Sequence, residues 1–303
     1  MRVLVTGANG FLGHRVVAAL TAAGATPVAL SLDPGGIDEW VESVAVDIRD
    51  RAQLAAVVAR LAPEAVVHLA ALSHVGASWQ RMADYFAVNF LGTENVLAAA
   101  GGRRVLFASS AEVYGAVPAS EQPLDEEREL APRSPYALTK AAAERLARGA
   151  GAVTMRLFNL VGAGQATAFA LPSFADQLAA IAAGEREAVL RVGSLEMRRD
   201  FVPVSDAVRA TTLLLERGEP GAVYNVATGR AASIAEMLDR LRAVSGVAAA
   251  VVVDPARVRP IDIPLLVGSA ARLEELGWRA SSCLEEELVG LWAAARAAHG
   301  LDA

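Results

Sequence analysis

The strongest constraint on the fold lies in the first 24 residues. Residues 2–6 form a short apolar run rich in β-branched side chains, which predicts a buried strand. Three glycines follow directly, and from residue 11 the apolar side chains recur at helical spacing until Gly24. A glycine turn between a strand and a helix lets a phosphate approach the backbone, so this pattern favours dinucleotide binding over a plain connecting turn. The predicted cofactor contacts here are Gly7, Gly10, Phe11, Leu12 and Gly13.

Apolar runs typical of strands then alternate with helical periodicities. The predicted strands are residues 27–30, 43–46, 65–69, 104–108 and 152–157, and the predicted helices are residues 54–61, 85–100 and 134–148. Such alternation implies right-handed crossovers and a doubly wound parallel α/β sheet of Rossmann type. Ligands of these sheets bind beyond the carboxyl ends of the strands, so functional residues are expected there.

The alternation is interrupted from residue 159, where glycine and proline become frequent. We expect residues 1–158 to form an NAD(P)-binding domain and residues 159–303 to form a smaller α/β substrate lobe. Some later segments are expected to return to the first sheet. The predicted helices of this second part are residues 171–183, 204–217 and 233–244.

Composition narrows the functional classes. The net charge of −6 argues against a nucleic-acid partner, and the 54% hydrophobic residues contain no run long enough to cross a membrane. Because the first strand begins at Arg2, we expect no signal peptide, and the single cysteine, Cys283, leaves no internal disulfide. A cytoplasmic protein is therefore predicted. The histidines and the cysteine have no metal-ligand spacing, and Trp79 and Tyr85 are interpreted as core or interface residues.

The candidate catalytic residues begin with Tyr136 and Lys140, which lie four residues apart on one face of a predicted helix. A tyrosine with its usual pKa of about 10 needs a neighbouring cation if it is to transfer a proton near neutrality. Ser110 stands at the end of an upstream strand, where its hydroxyl could hold a carbonyl or alcohol oxygen. The alternative interpretation is a surface lysine beside a half-buried ring.

The sequence resembles the extended short-chain dehydrogenase/reductases that act on nucleotide sugars, over essentially the whole chain. The motifs that carry the resemblance are TGANGFLG, Asp47-Ile48, HLAA at residues 68–71, VNFLGTENVL, Ser110 with Tyr136 and Lys140, RLFN at 156–159 and RDFV at 199–202. The resemblance implies that Asp47 and Ile48 hold the adenine of the cofactor. It also implies that Leu69, Ala70 and Ala71 line the nicotinamide path.

The same resemblance implies the chemistry. Tyr136 and Lys140 would contact the nicotinamide ribose, and Ser110 and Tyr136 would handle the sugar O4 while hydride moves between sugar C4 and the nicotinamide. Helices 85–100 and 134–148 resemble those that pair across the two-fold axis of the family's dimer, so a homodimer is expected.

Stretches of the second half look like GDP-4-keto-6-deoxymannose reductases and GDP-mannose 4,6-dehydratases, among them residues 158–165, 192–201 and 259–269. By that similarity Asn159 and Arg199 meet the sugar diphosphate, and Arg259 and Asp262 meet the nucleotide end. Ser73 lies in a predicted substrate-side loop. Arginine offers fixed, charged donors to a diphosphate, although a solvated surface charge is the alternative for each arginine.

Glu112 bears on the choice between reductase and dehydratase. A 4,6-dehydratase needs a carboxylate acid/base near the catalytic hydroxyl, and Glu112 stands two residues after Ser110. The chain is short for a dehydratase, however, and has serine rather than threonine at 110. We expect reduction of the C4 ketone of a GDP-4-keto-6-deoxyhexose, with a dehydratase or epimerase as the alternative. A non-catalytic dinucleotide sensor is disfavoured by the complete set of catalytic side chains.

The choice of cofactor depends on the end of the second strand. NAD-binding sheets carry an acid there that accepts the ribose hydroxyls, whereas this chain has Ser31 at that position and Asp33 two residues later. The neutral serine favours NADP(H), and Asp33 leaves NAD(H) open.

Overall fold

A computed structural model describes residues 1–33, 35–38, 40–258 and 263–301. The strands are β1 (Arg2–Thr6), β2 (Thr26–Ser31), β3 (Glu42–Ala45), β4 (Ala65–His68), β5 (Arg104–Ser110), β6 (Val153–Leu157), β7 (Asn159–Val161), β8 (Val189–Val192), β9 (Arg198–Pro203), β10 (Val223–Val226), β11 (Ala231–Ser233), β12 (Ala250–Val253) and β13 (Leu265–Leu266). The helices are α1 (Gly13–Ala22), α2 (Arg51–Leu61), α3 (Val75–Ser78), α4 (Met82–Tyr85), α5 (Gly92–Ala100), α6 (Pro135–Gly149), α7 (Ala170–Ala182), α8 (Val204–Arg217), α9 (Ile234–Ser245), α10 (Ala271–Glu275) and α11 (Leu284–Ala298).

The main sheet has seven strands in the order β10-β6-β5-β4-β1-β2-β3, and every neighbouring pair is parallel. Its faces are covered by α1 and α8 on one side and by α2, α5 and α6 on the other, each against its own apolar cluster. Strands buried on both faces read as continuous apolar runs, which is why the sequence reveals them. The predicted doubly wound α/β fold is confirmed.

The second part of the chain builds a smaller α/β body. Strands β11, β9 and β13 lie side by side with β7 also paired to β9, and β8 pairs with β12. Helices α7, α9 and α11 pack around a third apolar cluster. Strand β10 extends the main sheet beside β6, so the chain crosses between the two parts more than once. The division at residue 158 stays a prediction.

Helix α4 runs into α5 through a wider turn of π type at Phe86–Leu91. A single π turn inside an α-helix re-aims the side chains that follow it and is frequent at functional sites. Within the described residues, no helix is long and apolar enough to span a membrane.

Candidate active site

The glycine turn after β1 has the close packing that a dinucleotide cradle requires. Gly7 has φ +69°, and a Cβ there would stand 2.8 Å from the amide nitrogen of Ala70. A Cβ on Gly13 would stand 2.1 Å from the Gly7 carbonyl oxygen. Leu12, just before α1, provides no side-chain hydrogen bond to the free amides of that helix. The helix N-terminus, which Phe11 adjoins, is therefore left to attract an external anion.

The segment after β4 packs against this turn. Leu69 donates its amide to the Thr6 carbonyl at 3.1 Å, and Ala70 donates to Thr6 Oγ1 at 3.2 Å. His68 lies buried between Thr6 Oγ1 at 2.7 Å and Thr93 Oγ1 at 3.0 Å, and burial lowers its pKa to about 3. A neutral histidine thus holds the start of residues 69–71 in place. Ala71 beyond it is partly buried.

The residues at the end of β2 are hydrogen-bonded to the backbone that directly follows them. Ser31 Oγ donates to the Asp33 carbonyl at 2.9 Å, and the Asp33 carboxylate accepts the Gly35 amide at 2.9 Å. Asn9 of the glycine turn donates to the same Asp33 carbonyl. The buried hydroxyl of Ser31 therefore occupies the position where NAD-binding sheets carry an acid.

Asp47 and Ile48 sit at the end of β3, as predicted for the adenine side. Hydrogen bonds from Arg49 lower the pKa of the Asp47 carboxyl and hold it ionised. Ile48 is buried, and its carbonyl accepts a hydrogen bond from Asn95 Nδ2 at 3.0 Å. Helix α5 therefore fixes the adenine-side loop, and the roles of Asp47 and Ile48 toward a cofactor stay predictions.

Tyr136 and Ser110 meet at the carboxyl end of β5. Ser134 caps α6 by accepting the Ala137 amide at 3.1 Å, and Pro135 begins the helix, so Tyr136 lies in its first turn. The Ser110 hydroxyl lies close enough to the Tyr136 phenol to influence its pKa. Burial raises the pKa of the phenol to about 12, the Ser110 hydroxyl acts to lower it, and the charge of Glu112 acts to raise it. The phenol is therefore protonated at neutral pH.

Lys140 is the only lysine in the sequence. Its side chain is 4% exposed, and its Nζ lies 4.6 Å from the centroid of the Phe107 ring. Burial lowers its pKa from 10.5 to about 7, and the charge of Glu144 raises it. Among the described residues it makes no hydrogen bond or ion pair. A buried amine without a protein acceptor fits the ribose hydroxyls of a dinucleotide.

The sequence predicted that Lys140 would lower the pKa of Tyr136. In the structure burial raises the pKa of Tyr136 instead, and Lys140, whose Nζ lies over the Phe107 ring, is not among the groups that shift it. Sequence spacing reports that two groups share a helix face, but it does not report how deeply that face is buried.

Glu112 lies on the short 3-10 turn Ala111–Tyr114, and its backbone amide donates to Ser110 Oγ at 3.2 Å. Its carboxylate is close enough to raise the pKa of Tyr136. Glu112 is therefore beside the candidate catalytic pair, and its chemical role stays a prediction.

A cleft of about 650 Å³ is lined by the segment around α3 and by residues between Asn159 and Val258, and Ser110 and Tyr136 are not among its lining residues. Ser110 pairs in register with Leu157, and Asn159, two residues farther, lines the cleft. Arg199 also lines it, and its guanidinium donates to the Ile263 carbonyl at 2.6 Å. The structure thus brings two predicted substrate residues to one cavity. Ser73 is exposed in the loop before α3, and Arg259 and Asp262 lie outside the described residues.

Three cleft residues escaped the assignment of site residues from sequence. Trp79 lines the cavity and is 39% exposed, so of its two predicted places, core or interface, the core is excluded, whereas Tyr85 is buried. His74 lies at the same wall, where its Nδ1 accepts the Ala77 amide at 3.1 Å. Arg257 also lines the cleft and donates to Ser173 Oγ at 3.2 Å. No periodicity marks these residues, since they stand in short turns. Within residues 1–33, 35–38, 40–258 and 263–301, no cluster of three or more possible metal-binding side chains occurs.

The sequence matches the NAD dependent epimerase/dehydratase family over residues 3–227. It is 36% identical over 298 residues to the GDP-6-deoxy-D-mannose reductase of Pseudomonas aeruginosa, covering 95% of this chain and 94% of that protein. Among solved structures, RMD from Pseudomonas aeruginosa complexed with NADPH has a TM-score of 0.86 at 32% identity, covering 98% of this chain and 99% of the other. The UDP-glucose 4-epimerase of Thermus thermophilus complexed with NAD has a TM-score of 0.89 at 31% identity, covering 98% and 100%.

Proposed function

The chain belongs to the NAD dependent epimerase/dehydratase family, and from that premise we propose that it reduces the C4 ketone of a GDP-4-keto-6-deoxyhexose with NADPH. The similarity to a GDP-6-deoxy-D-mannose reductase over almost the whole chain supports the substrate class. Membership of the family already implies an enzyme that acts on a nucleotide sugar with a nicotinamide dinucleotide. We propose, in addition, the direction of hydride transfer and the identity of the sugar.

The observation that carries the proposal is the state of the Tyr136 phenol. With a pKa of about 12 it holds its proton at neutral pH, and the Ser110 hydroxyl is close enough to influence that pKa. Reduction of a ketone needs a proton donor at the carbonyl oxygen, whereas oxidation of an alcohol needs a base there. A protonated, buried phenol is in the state that reduction requires.

Ser110, Tyr136 and Lys140 each have a separate role in the proposed reduction. When bound, the reduced nicotinamide supplies hydride to sugar C4. Ser110 donates a hydrogen bond to O4 and polarises the carbonyl, and Tyr136 gives its proton to O4 as the C–H bond forms. The remaining phenolate is disfavoured by burial, so the Lys140 ammonium and the Ser110 hydroxyl are needed to stabilise it.

The cleft supports a sugar nucleotide as the substrate. A volume of about 650 Å³ lies in the range of small-ligand sites and continues from the end of β6. Asn159 and Arg199 would bind the diphosphate, and Arg259 and Asp262 are proposed for the nucleotide end. Lining by both parts of the chain would bind the nucleotide, and the sugar would have to extend from the cleft to Ser110, which lies outside its lining.

For the cofactor we propose NADPH in preference to NADH. Ser31 leaves no carboxylate at the end of β2, and the Asp33 carboxylate is turned onto the Gly35 amide. A 2′-phosphate would therefore meet no carboxylate at residue 31, where NAD-binding proteins have one. The bound NADPH in the Pseudomonas aeruginosa structure supports this choice.

A 4,6-dehydratase is the second candidate, and Glu112 favours it. Its carboxylate lies beside Tyr136, where an acid/base could take the C5 proton and assist loss of water from C5 and C6. We place the reductase first because the dehydratase cycle must begin by oxidising the alcohol at C4. That oxidation needs Tyr136 in its phenolate form.

The test is incubation of the purified protein with GDP-mannose, and separately with its 4-keto-6-deoxy derivative plus NADPH. We expect loss of reduced-nicotinamide absorbance with the ketone. Formation of a keto sugar from GDP-mannose without added cofactor would overturn the reductase in favour of the lyase. Tyr136→Phe should abolish either activity, whereas Glu112→Gln should abolish only dehydration and leave most of the reduction.

We further propose a homodimer in the cytoplasm. Leu91, at the end of the π turn, is 53% exposed and Leu138 on α6 is 48% exposed, which leaves apolar side chains on the helices predicted to pair. Sedimentation should give the dimer mass, and Leu138→Glu should give monomers. A single monomer peak for the unchanged protein would contradict the dimer.

A further inference from the structure

A chain of buried polar side chains crosses the main sheet behind the candidate catalytic residues. The Glu144 carboxylate accepts Ser109 Oγ at 2.6 Å and Arg156 Nη2 at 2.6 Å, and the two charged side chains are each 1% exposed. Arg156 donates to the Tyr114 hydroxyl at 2.8 Å, and that hydroxyl donates to Asn225 Oδ1 at 2.7 Å. These contacts join β5, β6, β10 and α6 through side chains alone.

The ends of this network adjoin the candidate site. Ser109 directly precedes Ser110, and Tyr114 ends the turn that holds Glu112. Glu144 lies one helical turn beyond Lys140 on α6, on the same face. The network therefore touches the backbone on both sides of Ser110 and the helix that carries Tyr136 and Lys140.

Stability alone does not explain the charged pair at its centre. Removing two charges from water costs several kcal/mol for each ion, and apolar residues of similar volume often serve a core equally well or better. The Glu144–Arg156 pair lies where such residues would be expected, with Ala143 and Ala147 fully buried beside Glu144 on α6. A role for the charge itself is therefore indicated.

We propose that Glu144 is a positioning residue for the candidate catalytic set. It fixes the Ser109–Ser110 segment by accepting the Ser109 hydroxyl, and its negative charge, one helical turn from Lys140, opposes loss of the proton from that buried amine. Arg156 holds the carboxylate in the orientation that allows both. The inference rests on the proposed roles of Ser110, Tyr136 and Lys140, and it is independent of the sugar.

The charges that face Lys140 are few. From β4 the neighbour is His68, which burial keeps neutral, and from β5 it is the uncharged Phe107 ring. On α6 itself the neighbours are Tyr136, which is protonated at neutral pH, and Glu144. Of these groups, only Glu144 opposes the effect of burial on the amine.

The test uses the single lysine of the chain. Protein labelled with 15N-lysine has one Nζ resonance, so the titration of Lys140 can be followed in the full chain without cofactor or substrate. Glu144→Gln alone leaves Arg156 buried without a counter-charge, so Glu144→Gln combined with Arg156→Gln is the main variant. Asp206→Asn is the matched control, because it removes a buried, ion-paired carboxylate far along the chain from Lys140.

We expect the double variant to lower the Lys140 titration midpoint by about one pH unit, because the negative charge that acts on the amine is gone, whereas Arg156 is not among the groups that shift it. The alkaline limb of the kcat profile should move down by the same amount, with KM for the sugar nucleotide little changed. Asp206→Asn should leave both midpoints in place. An unchanged Lys140 titration in the double variant overturns the proposal.

Glu144→Asp keeps the charge and shortens the side chain, and it should restore the midpoint largely or fully. If the double variant does not fold, Glu144→Asp is compared with Glu144→Gln. Only Glu144→Asp, which keeps the negative charge, should have a Lys140 titration midpoint near that of the unchanged protein. Absence of enzyme activity with every tested sugar would count against the proposed function, whereas the lysine titration would still decide this inference.

Discussion

The side-chain amide of Asn89 forms a two-way pair with the backbone of Leu72. Asn89 Oδ1 accepts the Leu72 amide at 2.8 Å, and Asn89 Nδ2 donates to the Leu72 carbonyl at 3.0 Å. The same Nδ2 donates to Thr139 Oγ1 at 3.1 Å on α6. The π turn aims Asn89 inward, so one side chain ties the loop after β4 to the helix that carries Tyr136 and Lys140.

Asn89→Ala should loosen that loop and slow the reaction. The Leu72 amide and carbonyl would lose their partner, which costs roughly 2 kcal/mol of unfolding free energy. We expect kcat to fall more than KM for NADPH rises, because the residues beside the nicotinamide path lose their link to α6. Denaturant unfolding and steady-state kinetics measure the two effects.

Asn95→Ala is the comparison on the same helix. It removes a hydrogen bond to the Ile48 carbonyl at the adenine side, so it should raise KM for NADPH and leave kcat nearly unchanged. Equal effects of the two variants on kcat would contradict the link between Asn89 and the catalytic helix.

Lys140→Met should remove a specific pH dependence of stability. The pKa of Lys140 is lowered by burial to about 7 in the folded chain, so between about pH 7 and pH 10 the unfolded chain binds the proton that the folded chain has lost. The free energy of unfolding therefore rises with pH in that window, by up to about 1.4 kcal/mol per pH unit from this group. Lys140→Met abolishes this contribution.

The measurement is chemical unfolding of both proteins at pH 7 and at pH 9.5. Relative to the unchanged protein, the variant should gain free energy of unfolding at pH 7, and this gain should be lost at pH 9.5. A stability difference that stays constant across the two pH values would show that Lys140 is not held at a lowered pKa. The same variant should bind NADPH more weakly, since the buried amine no longer meets the ribose.

Much of the fold could be predicted because it is encoded locally. The buried strands read as apolar runs, and the amphipathic face of α8 was predicted with its observed bounds, Val204–Arg217. The spacing of Tyr136 and Lys140 likewise follows from one helix. These features depend on neighbours in the sequence, which the sequence displays directly.

The remaining features depend on residues that are distant in the sequence, or on how deeply a side chain is buried. Ser109, Glu144 and Arg156 come from three separate elements, and nothing in the local sequence indicates that they meet. The raised pKa of Tyr136 follows from burial, which the spacing of Tyr136 and Lys140 does not reveal. The sequence does single out Lys140 in one way: it is the one lysine among the 28 basic residues of the chain.

Ser31→Asp should shift the cofactor preference from NADPH toward NADH. A carboxylate at the end of β2 would repel the 2′-phosphate and accept the ribose hydroxyls instead. We expect kcat/KM for NADPH to fall at least tenfold while that for NADH rises. Asp33→Asn, which changes the carboxylate already bonded to the Gly35 amide, should alter the ratio much less. A larger shift from Asp33→Asn would move the deciding position to that residue.

Trp79→Ala tests whether the cleft beside α3 is the site of the sugar nucleotide. Trp79 is 39% exposed and lines the cleft, as Arg257 does. Loss of an aromatic surface of this size should raise KM for the sugar nucleotide about tenfold, while kcat and the affinity for NADPH stay near their original values. Trp40→Ala is the matched control, because Trp40 is 76% exposed and lies outside the cleft lining. An unchanged KM in Trp79→Ala, or an equal rise in Trp40→Ala, would exclude Trp79 from substrate binding and move the nucleotide to another wall.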